Sequence, residues 1–111
     1  MKSLVFVADG RPLLALTSGA NRADPVRLAR LAGASSVRRA DPEEARAATG
    51  FGIGGTPPFG HPAAIPTLMD RDLLGYDEVW AAAGTPDAVF PIAPADLVRL
   101  SDASVDDIVA A

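Results

Sequence analysis

The stretch Phe51-Gly52-Ile53-Gly54-Gly55-Thr56-Pro57-Pro58-Phe59-Gly60-His61, here named the glycine loop, sets four glycines and two prolines within eleven residues. Glycine lets the backbone approach a ligand closely and adopt positive φ. Proline fixes φ and removes an amide donor. We therefore expect a stiff loop with few large side chains, which presents its remaining amides in fixed directions. Such amides suit an anionic or carbonyl oxygen.

Around the glycine loop, the sequence predicts short strands and short helices. Apolar, β-prone runs predict strands at residues 4–8, 13–17, 64–69, 78–83 and 88–92, and a short strand or extended link from residue 37. Aspartate-proline pairs start helices at 24–25 and 41–42, and glycines end them at 33 and 50. Residues 72–74 predict a helical turn, residues 94–96 start a third helix, and the tail from 101 is a weak turn. The sum is a mixed α+β fold in a single domain spanning residues 1–111.

Composition restricts the classes of protein to consider. The chain has 111 residues, of which 49% are hydrophobic and 22% charged, an ordinary globular balance with room for one core. The absence of cysteine excludes disulfides, zinc-thiolate sites and thiol nucleophiles. No apolar run is long enough to span a bilayer and no secretory leader is visible, so we expect a cytoplasmic protein without a membrane partner. A net charge of −4 argues against broad binding along nucleic-acid backbones.

Four side chains outside or at the end of the glycine loop are candidates for chemistry. Lys2, the only lysine, is either a solvated terminal charge or a point charge for a phosphate or oxyanion. His61, the only histidine, is either a general base or a structural side chain, and cannot build a histidine metal site alone. Asp70 follows an apolar strand, where it lines a site or caps the next turn. Ser18 lies, together with Asn21, in a polar turn that an ordinary loop also explains.

Several known motifs are absent from the sequence. The glycine loop lacks the Gly-x-Gly-x-x-Gly spacing of dinucleotide-binding proteins, and no Gly-Lys-Ser/Thr occurs. No Ser-His-Asp arrangement is readable from spacing. The residues alone therefore predict a small domain with a preformed pocket of backbone amides, and they indicate no metal and no cofactor.

Five segments of the chain, taken in order, carry a resemblance to a known family. They are Lys2-Ser3-Leu4-Val5, residues 28–34, residues 48–60, Pro66-Thr67-Leu68-Met69-Asp70, and Ala83-Gly84. They resemble the strand opening, the helix end, the Gly-x-x-x-Pro loop, the strand ending in aspartate and the small-Gly turn of the YbaK/prolyl-tRNA-synthetase-associated domains. These are aminoacyl-tRNA deacylases related to the editing insertion of bacterial prolyl-tRNA synthetases. The resemblance implies a partly barrel-like sheet with short flanking helices, lacking the helix and strand that usually precede the lysine.

The resemblance also implies a function and a set of site residues. The expected reaction is hydrolysis of the ester between a wrong amino acid and the tRNA 3′ end, by a water activated with help from the substrate's own ribose hydroxyl. Lys2, Gly54 and Gly55 would be catalytic. The substrate-binding residues would be Thr56, Pro57, Pro58, Phe59, Gly60, His61, Asp70, Gly84 and Ser18. The expected partner is the tRNA acceptor end, with no cofactor and no metal.

Two other functions remain open at the level of sequence. The chain could be a non-catalytic module that binds aminoacyl-tRNA ends or nucleotides. It could also be a structural fragment that forms homo-oligomers through an unpaired strand edge. The three hypotheses predict different results: the deacylase hydrolyses charged tRNA, the module binds it without hydrolysis, and the structural fragment does neither.

Overall fold

A computed structural model describes residues 1–110 and has strands and helices in the mixed α+β arrangement that the sequence predicts. The strands are β1 (Lys2–Ala8), β2 (Arg11–Thr17), β3 (Val37–Arg39), β4 (Thr67–Asp70), β5 (Val79–Ala82), β6 (Val89–Ile92) and β7 (Ser104–Asp106). The helices are α1 (Pro25–Ala32), α2 (Pro42–Thr49), α3 (Pro94–Ser101) and a 3₁₀-helix (Arg71–Gly75). The fold class predicted from sequence is confirmed.

The main sheet has five strands in the order β3-β1-β2-β4-β7, and β5 and β6 form a separate antiparallel pair. β1 and β2 make the predicted hairpin, and β4 pairs in parallel with β2 and β7. All seven residues of β1 pair with β2, but only Phe6, Val7 and Ala8 pair with β3. Within residues 1–110, no strand pairs with the outer edge of the first half of β1.

Alternation along the hairpin sends side chains into two apolar clusters on opposite faces of the sheet. The cluster on the first face contains Val5, Leu14, Leu16, Met69, Leu73, Val79 and Leu97. The cluster on the second face contains Phe6, Leu13, Ala15, Leu28, Leu68 and Ile108. Side chains of odd-numbered β1 residues thus face the first cluster, and those of even-numbered residues face the second.

The predicted helix ends are confirmed by their caps. The Asp24 carboxylate accepts a hydrogen bond from the Val26 amide at 2.9 Å, and Gly33 ends α1 with a φ of 68°. At α2, Asp41 and Glu44 form a capping box. These side chains satisfy helix amides that have no partner within the helix.

Several predicted boundaries and one predicted element are wrong. β1 and β2 begin at residues 2 and 11 rather than 4 and 13. β4 begins at residue 67 rather than 64, because Pro66 has no amide to contribute to a ladder and lies just before the strand. The tail forms β7 where the sequence predicted a weak turn, since the fully buried β4 offers its free edge to residues 104–106. No helix among residues 1–110 combines the length and apolar character that a membrane crossing requires.

The capping box of α2 makes stability depend on pH in a defined window. Hydrogen bonds from the Arg38 guanidinium and from the Asp41 amide lower the pKa of Glu44 from 4.5 to about 2. A carboxyl whose pKa falls on folding stabilises the protein above its unfolded pKa, and this contribution disappears as pH falls through the folded value. We expect Glu44→Gln to lower the melting temperature at neutral pH and to flatten its pH dependence between about 4.5 and 2. Glu43→Gln, at an exposed first-turn position, is the control, and equal profiles for the two variants would contradict this account.

Candidate functional site

The glycine loop is closed by hydrogen bonds to its own backbone. The Gly55 amide donates to the Gly52 carbonyl at 3.1 Å, and the Thr56 hydroxyl donates to the same oxygen at 3.2 Å. Gly54 lies between them with a φ of 85°, a conformation that side-chain-bearing residues rarely adopt. The sequence therefore needs glycine at this position to make the turn.

A second contact fixes the glycine loop against the turn between β5 and β6. The Gly84 amide donates to the Gly55 carbonyl at 2.9 Å. A Cβ atom on Gly55 would lie 2.7 Å from the Gly84 carbonyl oxygen and 2.8 Å from the Cα of Thr85. Two backbones are thus in contact, and only glycine at 55 permits that approach.

The second half of the glycine loop is held by the core. Pro58 is fully buried, and the Phe59 ring contacts the Phe90 ring edge-on, with centroids 6.0 Å apart. The His61 Nε2 lies 2.8 Å from the Pro57 carbonyl oxygen. Because a carbonyl only accepts, Nε2 carries the hydrogen in this bond. His61 therefore makes a structural hydrogen bond, and Gly60 follows the core-held segment at the surface.

A buried carboxylate organises the loop after β2. Asp70 is fully buried and accepts hydrogen bonds from the Ser18 amide at 3.1 Å, the Asn21 side chain at 2.9 Å and the Asp72 amide at 2.9 Å. The Asn21 side chain also donates to the Asp72 carboxylate at 2.8 Å. The Lys2 amine donates to the Asn21 main-chain carbonyl at 2.7 Å. Asp70 thus holds the residue that in turn holds Lys2.

One cavity of about 280 Å³ brings the start of β1 and the glycine loop together. Its lining is Met1, Lys2, Ser3, Leu4, Val5, Arg39, Ala40, Ile53, Gly54, Thr56 and Ala82. The lining includes two basic residues and no carboxylate residue. The Arg39 guanidinium lies 5.5 Å from the centre of the Phe6 ring. Met1 is in the same lining, and burial, together with a smaller effect of the Lys2 charge, lowers the pKa of its amino group.

Two glycine-loop residues of the cavity lining have backbone amides without a partner in the described part of the chain. Among residues 1–110, neither the Gly54 amide nor the Thr56 amide donates a hydrogen bond within the protein. No carboxylate lies within salt-bridge distance of the Lys2 amine in this part of the chain. The same residues contain no group of three or more potential metal ligands. Positive charge and free amides together can bind an oxygen-rich, anionic or polarised group.

The structure groups the predicted site residues in two sets. Lys2, Gly54 and Thr56 line the cavity. The others stand behind it: Gly55, Pro57, Pro58, Phe59, Gly60, His61 and Gly84 shape the glycine loop and its contacts, and Ser18 and Asp70 support the loop that holds Lys2. Sequence reasoning missed Ser3, Arg39 and Ile53 in the lining, and it explained Asn21 as an ordinary loop residue. Only Ser3 gave a signal, as the neighbour of Lys2 at the strand opening.

The fold is that of an aminoacyl-tRNA editing domain. The family model described as the aminoacyl-tRNA editing domain matches residues 1–100. The chain belongs to that family, which confirms the resemblance derived from the sequence.

Two groups of relatives show where such domains occur. The proline–tRNA ligase of Nitratidesulfovibrio vulgaris strain Hildenborough is 39% identical over 80 residues, which is 72% of this chain and 14% of the ligase. That of Solidesulfovibrio magneticus is 35% identical over 89 residues, or 79% of this chain and 15% of the ligase. A crystal structure of a protein proposed to be a trans-editing enzyme for prolyl-tRNA synthetase superposes with a TM-score of 0.94 at 50% identity, covering 99% of this chain and 69% of that one.

The contact between Gly55 and Gly84 predicts a clear difference between two glycine substitutions. In Gly55→Ala the new methyl group meets backbone atoms, so we expect a loss of about 2 kcal/mol in the free energy of unfolding. Gly75→Ala is the matched control, because a Cβ there has no heavy atom within 4 Å and φ is not positive. We expect it to change stability by less than about 0.5 kcal/mol. Chemical denaturation measures both, and similar values would show that the two backbones can separate freely.

The Asp70 cluster predicts a second stability difference. Asp70→Ala leaves the Ser18 and Asp72 amides and the Asn21 side chain without their buried acceptor, so we expect a loss of about 3 kcal/mol in the free energy of unfolding. Asp87→Ala removes an exposed carboxylate in the turn after β5 and is expected to be nearly neutral. Urea unfolding of both variants tests this, and an equally mild effect of Asp70→Ala would contradict the supporting role of Asp70.

Proposed function

We propose that this chain is an aminoacyl-tRNA deacylase that hydrolyses the ester between a wrong amino acid and the 3′ end of tRNA. The observation that carries the proposal is the cavity in which Lys2 shares a lining with Gly54 and Thr56. Membership of the editing-domain family supports the class of reaction. The proline–tRNA ligase relatives favour mischarged proline tRNA as the substrate.

The amides of Gly54 and Thr56 are the proposed donors to the ester carbonyl. As water attacks that carbonyl, negative charge develops on its oxygen, and fixed amide donors stabilise such a charge without reorganising. The internal hydrogen bonds of the loop and the contact between Gly55 and Gly84 hold these amides in place. Gly55 therefore contributes through its backbone and through the absence of a side chain.

Lys2 is the proposed source of positive charge. An ammonium group has three donors, and the Asn21 carbonyl takes one of them. Because no carboxylate neutralises the amine, its charge is available to the terminal phosphate or to the developing oxyanion. Arg39, in the same lining, adds a second positive charge for the acceptor end.

Water is the proposed nucleophile. The cavity lining contains no cysteine or histidine, and the His61 Nε2 is engaged with the Pro57 carbonyl. Attack of water on the ester carbon breaks its bond to the ribose oxygen, which leaves as a hydroxyl after receiving a proton. The neighbouring ribose hydroxyl of the substrate can relay that proton, as the family resemblance implies. The domain then contributes positioning and charge rather than a side-chain base.

The substitution of Lys2 tests this proposal. We expect Lys2→Ala to lower kcat/KM for deacylation by about 100-fold, the scale found when one oxyanion-stabilising group is removed. Lys2→Arg retains the charge and should keep part of the activity. Arg30→Ala removes an exposed positive charge on α1 and is the matched control, expected to act like the unmodified protein. Deacylation is measured over a panel of mischarged tRNAs.

Three results of that panel decide between the hypotheses. Normal turnover by Lys2→Ala, with the fold intact by circular dichroism, would remove Lys2 from the mechanism. Binding of charged tRNA without hydrolysis would replace the deacylase with a binding module. Neither binding nor hydrolysis, together with a dimer or larger species on a sizing column, would favour the oligomerising fragment.

A further inference from the structure

The hydroxyl of Ser3 is a buried polar group that the fold itself does not use. Its Oγ is shielded from solvent and has no hydrogen-bond partner among residues 1–110, and the Thr17 Oγ1 is the other side-chain atom in that state. A buried hydroxyl without a partner loses its hydration and gains nothing in exchange. Such a group in a native structure calls for an explanation.

The position of Ser3 in the fold explains why this hydroxyl has no partner in the protein. Ser3 lines the cavity together with Gly54 and Thr56. Alternation along β1 puts its side chain on the same face as Val5, and the cluster that contains Val5 is the one against which Phe59 of the glycine loop packs. The Ser3 hydroxyl is therefore on the glycine-loop side of the sheet. The Lys2 side chain leaves β1 on the other face, where its amine meets Asn21.

The main chain of Ser3 adds two polar groups at the same point. The Ala40 amide donates to the Val5 carbonyl at 3.0 Å, so the polar groups of Val5 point toward the β3 side of β1. Those of Ser3, two residues earlier, point the same way. Because β3 pairs only with residues 6–8, the amide and carbonyl of Ser3 face the open edge beside the cavity.

The charges around Ser3 select the kind of group that it binds. The lining contains no carboxylate residue, and the charged ends of Lys2 and Arg39 lie toward the other face of the sheet, at the Asn21 carbonyl and the Phe6 ring. A cationic group would find no negative partner in this lining, so a group with oxygen acceptors is favoured. We propose that Ser3 is a substrate-binding residue whose hydroxyl donates a hydrogen bond to an oxygen of the aminoacyl-ribose end. This proposal rests on the proposed function for the identity of the substrate. It adds a contact opposite the glycine-loop amides, so that the ester end is held from two sides.

Thr17 provides a matched control. Its Oγ1 is equally buried and equally without a partner, but Thr17 is not in the lining of the cavity. Thr17 pairs with Lys2 across the hairpin, and alternation along β2 turns its side chain toward the second apolar cluster, where valine keeps the shape of the side chain. Thr17→Val and Ser3→Ala each remove one orphaned hydroxyl. Both should leave the melting temperature unchanged or raise it, since neither removes a hydrogen bond within the protein. Only the loss of the Ser3 hydroxyl should weaken substrate binding.

The experiment measures both the binding of non-hydrolysable probes and the deacylation reaction. The probes are alanyl-, seryl- and prolyl-adenosine in which an amide replaces the ester, with adenosine as the reference, and calorimetry gives their Kd. We expect Ser3→Ala to raise Kd for the bound analogue, and KM in deacylation, by about five- to tenfold, the scale of one neutral hydrogen bond. Ser3→Thr keeps the hydroxyl and should restore both values. Thr17→Val should leave both unchanged.

The outcomes separate this inference from the proposed function. Unchanged Kd and KM in Ser3→Ala, with normal hydrolysis by the unmodified chain, would overturn the role of Ser3 and leave the deacylase intact. Analogue binding that depends on Ser3 without hydrolysis would support Ser3 and overturn the deacylase. A melting temperature that falls sharply in Ser3→Ala but is restored in Ser3→Thr, with Kd unchanged in both, would show that the hydroxyl is structural. Absence of binding and hydrolysis in the unmodified chain would overturn both.

Discussion

The close approach of two backbones at Gly55 and Gly84 is the constraint on which the rest of the site depends. The hydrogen bond between them ties the glycine loop to the β5–β6 turn, and no space remains for a Cβ at Gly55. Pro58 and Phe59 anchor the following residues in the core. The loop therefore has its shape before any ligand arrives. Amide donors that are fixed in this way lose little entropy when they bind an oxygen.

The second constraint on the site is the set of hydrogen bonds around the buried Asp70. Asp70 lies at zero exposure with three donors around it, so the cost of burying its carboxylate is offset by hydrogen bonds rather than by an ion pair. Through Asn21 it fixes a carbonyl that holds Lys2. A carbonyl orients an amine without neutralising it, whereas a carboxylate would cancel much of its charge. The cluster therefore positions Lys2 and leaves its charge for a ligand.

Local sequence signals predicted what local interactions determine. The caps at Asp24 and Asp41, the hairpin and the stiffness of the glycine loop follow from residues that are close in the chain. β7 could not be predicted, because Ser104 and Asp106 have no strand pattern and pair only since β4 has a free edge. The role of Asn21 could not be predicted either, because its partners lie 19 to 51 residues away. The family was predicted from a combination of short segments, none of which is specific alone.

The cavity differs in charge from the chain as a whole. The net charge is −4, yet the lining has Lys2 and Arg39 and no acidic residue. Broad attraction to a polyanion is therefore weak, and positive charge is concentrated where one acceptor end would enter. A surface of this kind suits recognition of a terminus rather than of a duplex. In the proposed mechanism, rigid amides and local charge stabilise the oxyanion that forms when water attacks the ester. That mechanism takes both from the backbone of the glycine loop and from basic residues, and it uses no side-chain nucleophile.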